Sequence, residues 1–284
     1  MTVREALTWA KQILIENEVE GSQSSAEFLL TQATGFDKTY LYTYPEKSLT
    51  KLQELRFRRF VKKRSKHEPV WYITGKIEFM GLLLHVNNSV LIPRPETELM
   101  IEKIIERVKS KTVKVKSILD VGTGSGTIAL TLASHLGDKL TFNASDLSDK
   151  ALAVARKNAK SNGLSEQIEF KKGDLLSPWL GQKFDLIVAN LPYVPHEDMA
   201  TLAFDLTHHE PRLALDGGVM GLEVYKRFIQ ELPFFLNPGA IVYMEIGYDQ
   251  GRYIEEFVHK YLPKAKVQTV GDYQQIDRIV IIET

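Results

Sequence analysis

The chain has 284 residues, 44% hydrophobic and 25% charged, ordinary soluble-globular usage that excludes a disordered or fibrous class and leaves room for one large domain beside a smaller one. Lys plus Arg and Asp plus Glu number 36 each, so no global field recruits nucleic acid or an anionic membrane, and zero cysteines exclude disulfides, thiolate-held zinc and thiol nucleophiles. No run reaches the ~20 apolar residues that span a bilayer and the N-terminal stretch lacks the apolar segment of a signal peptide, so a cytoplasmic protein is expected.

From Thr2 to about Gly75 the pattern is helical: Val3, Ala6, Leu7, Ala10, Ile13 and Leu14 recur at spacings of three and four, and Ser24 or Ser25 can cap a second helix. Residues 51–66, KLQELRFRRFVKKRSK, hold eight Lys or Arg against one Glu and read as a solvated helix face, with steering of an acidic partner or contact with RNA as the other reading. Residues 78–92 are β-rich, and Asn87-Asn88 is the expected hairpin turn because Asn tolerates positive φ. After Pro93, strand and helix signals alternate through SILDV, TIALTLASHL, LTFNA, 148–161, QIEFK, FDLIVAN, 221–235, AIVYMEI, 250–260, KVQTV and RIVIIE. That alternation predicts an α/β domain with a mostly parallel sheet covered on both faces. The expected division is 1–75 helical, 76–92 hairpin linker and 93–284 catalytic.

The first chemical motif is DVGTGSG, Asp120 to Gly126, at the end of the first strand of the α/β domain. Ligands of such sheets sit beyond the carboxyl ends of the strands, where glycines permit a tight turn and close backbone approach. Twenty residues past Gly126, Asp146 ends strand LTFNA, where a carboxylate can accept both hydroxyls of a ribose. A GxGxG spacing without a Walker lysine tilts the reading from a dinucleotide or ATP toward S-adenosyl-L-methionine, which spacing alone does not settle. A structural turn followed by a surface Asp is the plain alternative.

These motifs, together with EPVWYITGKIEFMGL (68–82), LIPRPETE (91–98), the NLPY stretch (190–193), HEPRLALDGG (209–218) and EIGYDQG (245–251), resemble the bacterial release-factor glutamine methyltransferases, the PrmC/HemK family. The resemblance implies a class I, Rossmann-like methyltransferase with a seven-stranded mostly parallel sheet, preceded by a small helical bundle that recognises the substrate and a connecting β-hairpin. It implies methyl transfer from S-adenosyl-L-methionine, with S-adenosyl-L-homocysteine as product, to the side-chain amide nitrogen of the glutamine in the GGQ motif of class 1 peptide chain release factors. With that family as guide, the expected cofactor contacts are Asp120, Gly122, Thr123, Gly124, Ser125, Gly126, Asp146, Leu147, Asp174, Leu175 and Asn190. The expected catalytic and substrate contacts are Asn190, Leu191, Pro192 and Tyr193, with Arg94 and Glu96 at the substrate entrance.

The NLPY stretch has a chemical reading of its own. An amide nitrogen is a poor nucleophile, and holding it in line with an electrophilic methyl can gain on the order of 7 to 11 kcal/mol over a bimolecular encounter. The side-chain oxygen of Asn190 and the backbone carbonyl of Leu191 can accept the two hydrogens of the substrate NH2, Pro192 presets the backbone, and Tyr193 is expected to supply an aromatic wall. The family usually has NPPY; Leu191 replaces the first proline but still offers a carbonyl, so activity is expected to persist. NLPY also resembles ribosomal-RNA adenine dimethyltransferases, which keeps an adenine-N6 methyltransferase acting on RNA or DNA as the alternative. Near Arg94, Pro95 suits the first helical position with Glu96 and Glu98 in the first turn, which makes helix capping the competing role. Asp174 can approach an adenine amino group or be a turn residue on the surface. His208, His209 and Glu210 are neighbours in sequence without the spacing that converges on one ion, so no metal is expected.

Overall fold

Thr2 starts the first helix through a capping box, its hydroxyl accepting the Glu5 N–H at 3.2 Å while the Glu5 carboxylate accepts the Thr2 N–H at 2.8 Å. The computed structural model describes residues 1–202, 208–272 and 274–284. They fall into two compact units, one built on Met1–Lys76 and the other on Ile77–Leu202 with Glu210–Thr284.

The first unit is helical. Helix α1 (Val3–Glu16) buries Val3, Ala6, Ala10 and Leu14, the stripe that the spacing predicts. Helix α2 (Ser22–Thr34) starts earlier than a Ser24 or Ser25 cap would put it. Gly21 takes the cap position at φ 63°, and the Ser24 hydroxyl donates back to the Gly21 carbonyl. Short helices α3 (Lys38–Thr43) and α5 (Val70–Thr74) flank α4 (Lys51–Arg64). The basic run is not wholly solvated: α4 turns Phe57, Phe60 and Val61 into the core and takes Arg64 with them. Arg64 is 7% exposed, and its guanidinium reaches Ser25 Oγ and the His67 and Glu68 carbonyls, each at 3.3 Å. A buried guanidinium needs such partners, because its five donors cannot be left unpaired.

In the second unit, strands β1 (Lys76–Phe79) and β2 (Leu82–His85) form the hairpin. Its turn is Met80-Gly81, both at positive φ, rather than the expected Asn87-Asn88. Glycine takes that conformation without steric cost, so it outcompetes Asn. Asn87 makes an Asx turn just beyond the hairpin instead, its side chain accepting the Ser89 N–H at 2.9 Å. Asn158 secures the hairpin and is fully buried. Its side chain accepts the His85 N–H at 2.6 Å and donates to the His85 and Ser125 carbonyls at 3.0 and 2.9 Å.

The main sheet has strands β3 (Ser117–Val121), β4 (Thr141–Asp146), β5 (Ile168–Lys172), β6 (Phe184–Ala189), β7 (Leu236–Glu245), β8 (Lys266–Gly271) and β9 (Asp277–Glu283). Their order is β5-β4-β3-β6-β7-β9-β8, parallel except that β9 runs antiparallel to both neighbours. Helices α6 (Pro95–Lys109), α7 (Thr127–Leu136) and α8 (Asp149–Ser161) follow the alternation. The helix expected over 221–235 runs Glu223–Glu231 and passes into a 3-10 turn at Leu232–Phe234, where Pro233 removes a backbone donor. The helix expected over 250–260 runs Gly251–Tyr261. Central strands read as continuous apolar runs because both faces are covered: Leu186, Ile187, Val188 and Ala189 are all fully buried. Strand order reverses at β3, which puts the topological switch point between β3 and β6.

Asp120, next to last in β3, is buried beneath the loop that follows. One oxygen accepts the Thr123 hydroxyl at 2.6 Å and the Ala129 N–H at 3.1 Å, which ties the loop to helix α7. Burial pushes its carboxyl up to about 7; those two hydrogen bonds oppose the rise and the Asp146 charge adds to it.

Two outcomes are expected. Asn158→Ala removes three hydrogen bonds made by a fully buried side chain, a cost of about 2 to 4 kcal/mol. In calorimetry of the cofactor-free protein this appears as a lower Tm, by about 4 to 12 °C for a unit of this size. Asp120 binds its proton more tightly folded, at about 7, than unfolded, at 3.8, so its contribution to stability is full at low pH and declines as pH rises between those values. The stability of the wild type minus that of Asp120→Asn, from urea unfolding at several pH values, should therefore fall with rising pH, by at most about 1.4 kcal/mol per unit.

Candidate active site

Strand register assembles the site. Ser145, Val121, Ala189 and Met244 are neighbours across β4, β3, β6 and β7. The next row at the carboxyl ends is therefore Asp146, Gly122, Asn190 and Glu245, four residues distant in sequence set side by side at the switch point.

Behind Gly122 the chain turns sharply. The Gly122 and Thr123 N–H groups both donate to the Ser145 carbonyl at 2.9 Å, and the Gly124 N–H donates to the Asp146 carboxylate at 2.8 Å. The other Asp146 oxygen accepts the Ser148 N–H at 2.8 Å, at the start of α8. Burial raises the Asp146 carboxyl above its ordinary range against these two backbone donors. Gly122 sits at φ 75°, and a Cβ there would come within 2.9 Å of Leu191 Cδ2. Only glycine meets both demands.

On the other side of the switch point, Asn190 follows the last residue of β6. Its Nδ2 donates to the Thr97 hydroxyl at 3.3 Å, and Thr97 in turn donates to the buried Glu245 carboxylate at 2.6 Å. The Leu191 N–H donates to Tyr225 Oη at 3.2 Å, and the Tyr225 hydroxyl proton goes to the Glu245 carbonyl, its closest acceptor. Leu191 itself is buried in the core between β3 and β6. The HEPRLALDGG segment laces onto this strand end, with Val194 donating to the Leu215 carbonyl at 3.0 Å and Gly217 to the Val194 carbonyl at 2.9 Å. Gln250 closes the same stretch, donating to the Tyr193 carbonyl at 2.9 Å and the Met220 carbonyl at 3.1 Å.

Between the two sides lies a mainly apolar cleft of about 250 Å³. Of the residues expected from the sequence, Gly122, Thr123, Gly124, Ser125, Asp146, Leu147, Asp174, Leu175, Asn190, Leu191, Pro192 and Arg94 line it. Four expected residues are placed elsewhere. Asp120 is beneath the loop, and Gly126 caps α7 and packs against Leu130 and Ala155. Tyr193, expected as a wall of the cleft, packs its ring against the core and reaches the Glu245 carboxylate with its hydroxyl at 3.3 Å. Burial, then the Glu245 charge, raises that phenol above its ordinary value. Glu96 is exposed in the first turn of α6, beside Pro95 at the first helical position.

Arg94 pairs with Glu210, which also accepts the Ile92 N–H at 3.1 Å and is 6% exposed, so the entrance arginine is held by a buried carboxylate. Asp174 is at the cleft rather than an isolated turn residue and pairs with Arg227.

Sequence reasoning missed Thr97, Glu245, Tyr225 and Arg227. Thr97 stands between two glutamates that drew the attention. Glu245 had a usable signal, since a carboxylate closing the all-apolar run AIVYM must be buried at a strand end. Tyr225 and Arg227 follow only from packing.

Comparison with known proteins fits this architecture. A family model described as the PrmC N-terminal domain matches residues 5–75, and one described as the methyltransferase small domain matches 95–233. The release factor glutamine methyltransferase of Bacillus cereus is 38% identical over 286 aligned residues, covering 100% of this chain and 99% of that protein. That of Chlorobaculum tepidum is 39% identical, covering 98% and 95%. Among solved structures, a T. thermophilus 16S rRNA N2 G1207 methyltransferase in complex with AdoMet and guanosine superposes with a TM-score of 0.51 at 16% identity, over 74% of this chain and 49% of that one, a likeness of fold alone. With both family models matched and full-length relatives above a third identical, the chain belongs to the release factor glutamine methyltransferase family.

Proposed function

We propose that this protein methylates the side-chain amide nitrogen of the glutamine in the GGQ motif of class 1 peptide chain release factors, using S-adenosyl-L-methionine. The observation that carries the reading is the row Asp146, Gly122, Asn190 at the switch point, which sets a nucleotide-type cradle directly beside a pair of amide acceptors.

The residues of the cleft fit the cofactor. Asp146 spends two of its roughly four acceptor sites on backbone N–H groups, which leaves capacity for ribose hydroxyls. Leu147, Leu175 and Ile128 offer apolar surface for a flat base, and the absent side chain of Gly122 keeps backbone close approach open. When bound, S-adenosyl-L-methionine supplies a methyl group activated by sulfonium and leaves as S-adenosyl-L-homocysteine.

The chain's own contribution is orientation. Asn190 gives its NH2 to Thr97, so its carbonyl oxygen is the end available to a substrate amide. The Leu191 carbonyl is the second acceptor: the single Tyr225 proton is committed to Glu245, and the 3.5 Å approach to Leu191 O leaves that oxygen's lone pairs accessible. Two fixed acceptors hold both substrate N–H bonds and expose one face of the nitrogen. A strong base is unnecessary, since the nitrogen sheds its proton readily only after methylation. Arg94 and Pro192 line the approach, and the helical unit, residues 1–75, is assigned the grip on the release factor. The hairpin at 76–92 serves as the linker and 93–284 as the catalytic domain. Work on release factors implies a cytoplasmic location.

The direct test is mass spectrometry of a GGQ-containing release factor incubated with this protein and labelled S-adenosyl-L-methionine, with total RNA in parallel. Label on the glutamine is expected; label on RNA adenine with none on the protein overturns the reading. Asn190→Ala should lower kcat by roughly 10² or more while calorimetric cofactor affinity stays within a few fold, whereas Asp146→Ala should weaken cofactor binding about 10- to 100-fold. Leu191→Pro should keep kcat within about fivefold, because the carbonyl is retained, but unfold at lower urea, because the N–H to Tyr225 and the contact at Gly122 are lost.

A further inference from the structure

Glu245 is 2% exposed at the end of β7, one strand over from Asn190. Its carboxylate accepts the Thr97 hydroxyl at 2.6 Å and the Tyr193 hydroxyl at 3.3 Å, and its backbone carbonyl accepts the Tyr225 hydroxyl. Among the described residues no cation lies within salt-bridge distance of it. A carboxylate buried on hydroxyls and the Asn190 carboxamide, with no cation, is an expensive arrangement to hold, and a stable core would be better served by an apolar residue.

We propose that Glu245 is a positioning residue that fixes, through Thr97 and by its own attraction for the Asn190 NH2, which end of the Asn190 carboxamide faces the cleft. Burial raises the Glu245 carboxyl above its ordinary range and the Glu96 charge adds to the rise, while the hydrogen bonds from Thr97, Tyr193 and Asn190 oppose it and favour the ionised form. An ionised carboxylate only accepts, so the single Thr97 proton points to Glu245. Thr97 Oγ1 can then only accept, and Asn190, at 3.3 Å, must offer it the NH2 group. The carboxamide oxygen is thereby turned to the cleft. Without this directionality the two ends of an Asn side chain are nearly equivalent in shape, and a flipped Asn190 would present donors to the donors of a substrate amide. The backbone of the same residue holds the second acceptor: Leu191 donates to Tyr225, which donates to the Glu245 carbonyl. One residue thus anchors both acceptors.

The inference rests on the glutamine-methyltransferase reading for its kinetic readout, and a second readout is independent of it. Glu245→Gln keeps size but can donate to Thr97, which frees the Thr97 proton and lets Asn190 flip. Its kcat on a GGQ-containing release factor should fall roughly 10- to 100-fold, with KM for the release factor and calorimetric cofactor affinity within about threefold. Thr97→Val should lose as much, Thr97→Ser should stay within about threefold, and the double variant Thr97→Val with Glu245→Gln should be no worse than either single one. In cofactor-free protein labelled with 15N-asparagine, the Asn190 side-chain NH2 signal, assigned by its loss in Asn190→Ala, should move in Glu245→Gln and Thr97→Val and hold in Thr97→Ser. An unmoved signal in Glu245→Gln, a kcat within threefold of wild type, or Thr97→Ser as impaired as Thr97→Val overturns the proposal. Should wild type transfer no methyl to any release factor while the signal moves as stated, the network stands and the substrate assignment fails. If Glu245→Gln does not fold, the two Thr97 variants decide the question alone.

Discussion

Strand register is the constraint on which the rest of the structure depends. Asp146, Gly122, Asn190 and Glu245 lie across four strands and share no local sequence context, yet pairing Ser145 with Val121, Val121 with Ala189 and Ala189 with Met244 brings them to one row. A slip of one residue in a strand would turn its side chains to the opposite face and take one of the four away. The apolar runs of β3 and β6 guard against that, since both faces are buried and any slip would expose or crowd several side chains at once. Core packing and site geometry are thus one requirement: the same Leu119, Val121, Ile187 and Ala189 that fill the core hold the row in place.

A second layer of constraint is polar and buried. Asp120, Asn158 and Glu245 are each almost wholly removed from water, and each is held by hydrogen bonds to groups of a loop, a helix start or a strand end rather than by a cation. Such groups cost desolvation energy, and what they return is direction, because a carboxylate or carboxamide with specific partners tolerates fewer arrangements than an apolar contact does. Asp120 directs the glycine loop, Asn158 ties that loop to the hairpin through the Ser125 and His85 carbonyls, and Glu245 directs the NLPY strand end. The glycine loop and the strand end that face each other across the cleft are each braced from behind.

How much of this was legible in the sequence depends on whether the information is local. The alternation of strands and helices, the glycine loop, and Asp146 at its spacing are local signals, and the sheet, the loop and Asp146 at the end of β4 appear where those signals put them. The hairpin turn failed because two competing turn signals stood seven residues apart, and the glycine of Met80-Gly81 has the lower conformational cost. Tyr193 lies off the cleft for another reason: one residue past Pro192 the strand end has turned, and its hydroxyl finds the buried Glu245, a partner 52 positions away. Thr97 and Tyr225 are invisible without the fold, since nothing in PETE or VYKR says that their hydroxyls meet β6 and β7. Arg64 reads as one more charge in a basic run until α4 is docked and its guanidinium is enclosed by backbone carbonyls.

The leucine in NLPY shows how the layers combine. A proline at position 191 would fix φ and so stiffen the carbonyl by a covalent ring. Leucine has no such ring, but its N–H is free to donate, and it does so to Tyr225, whose own proton is fixed on the Glu245 carbonyl. Its side chain fills the space that Gly122 leaves empty, at a separation where any Cβ on Gly122 would collide with it. Rigidity that the ring would have supplied within one residue is supplied here by a hydrogen bond to one element and a packing contact with another. The contact couples the strand end after β6 directly to the glycine loop across the switch point. A displacement of that loop toward the strand end must move Leu191, which lines the cleft, since close-packed interiors transmit strain rather than absorb it.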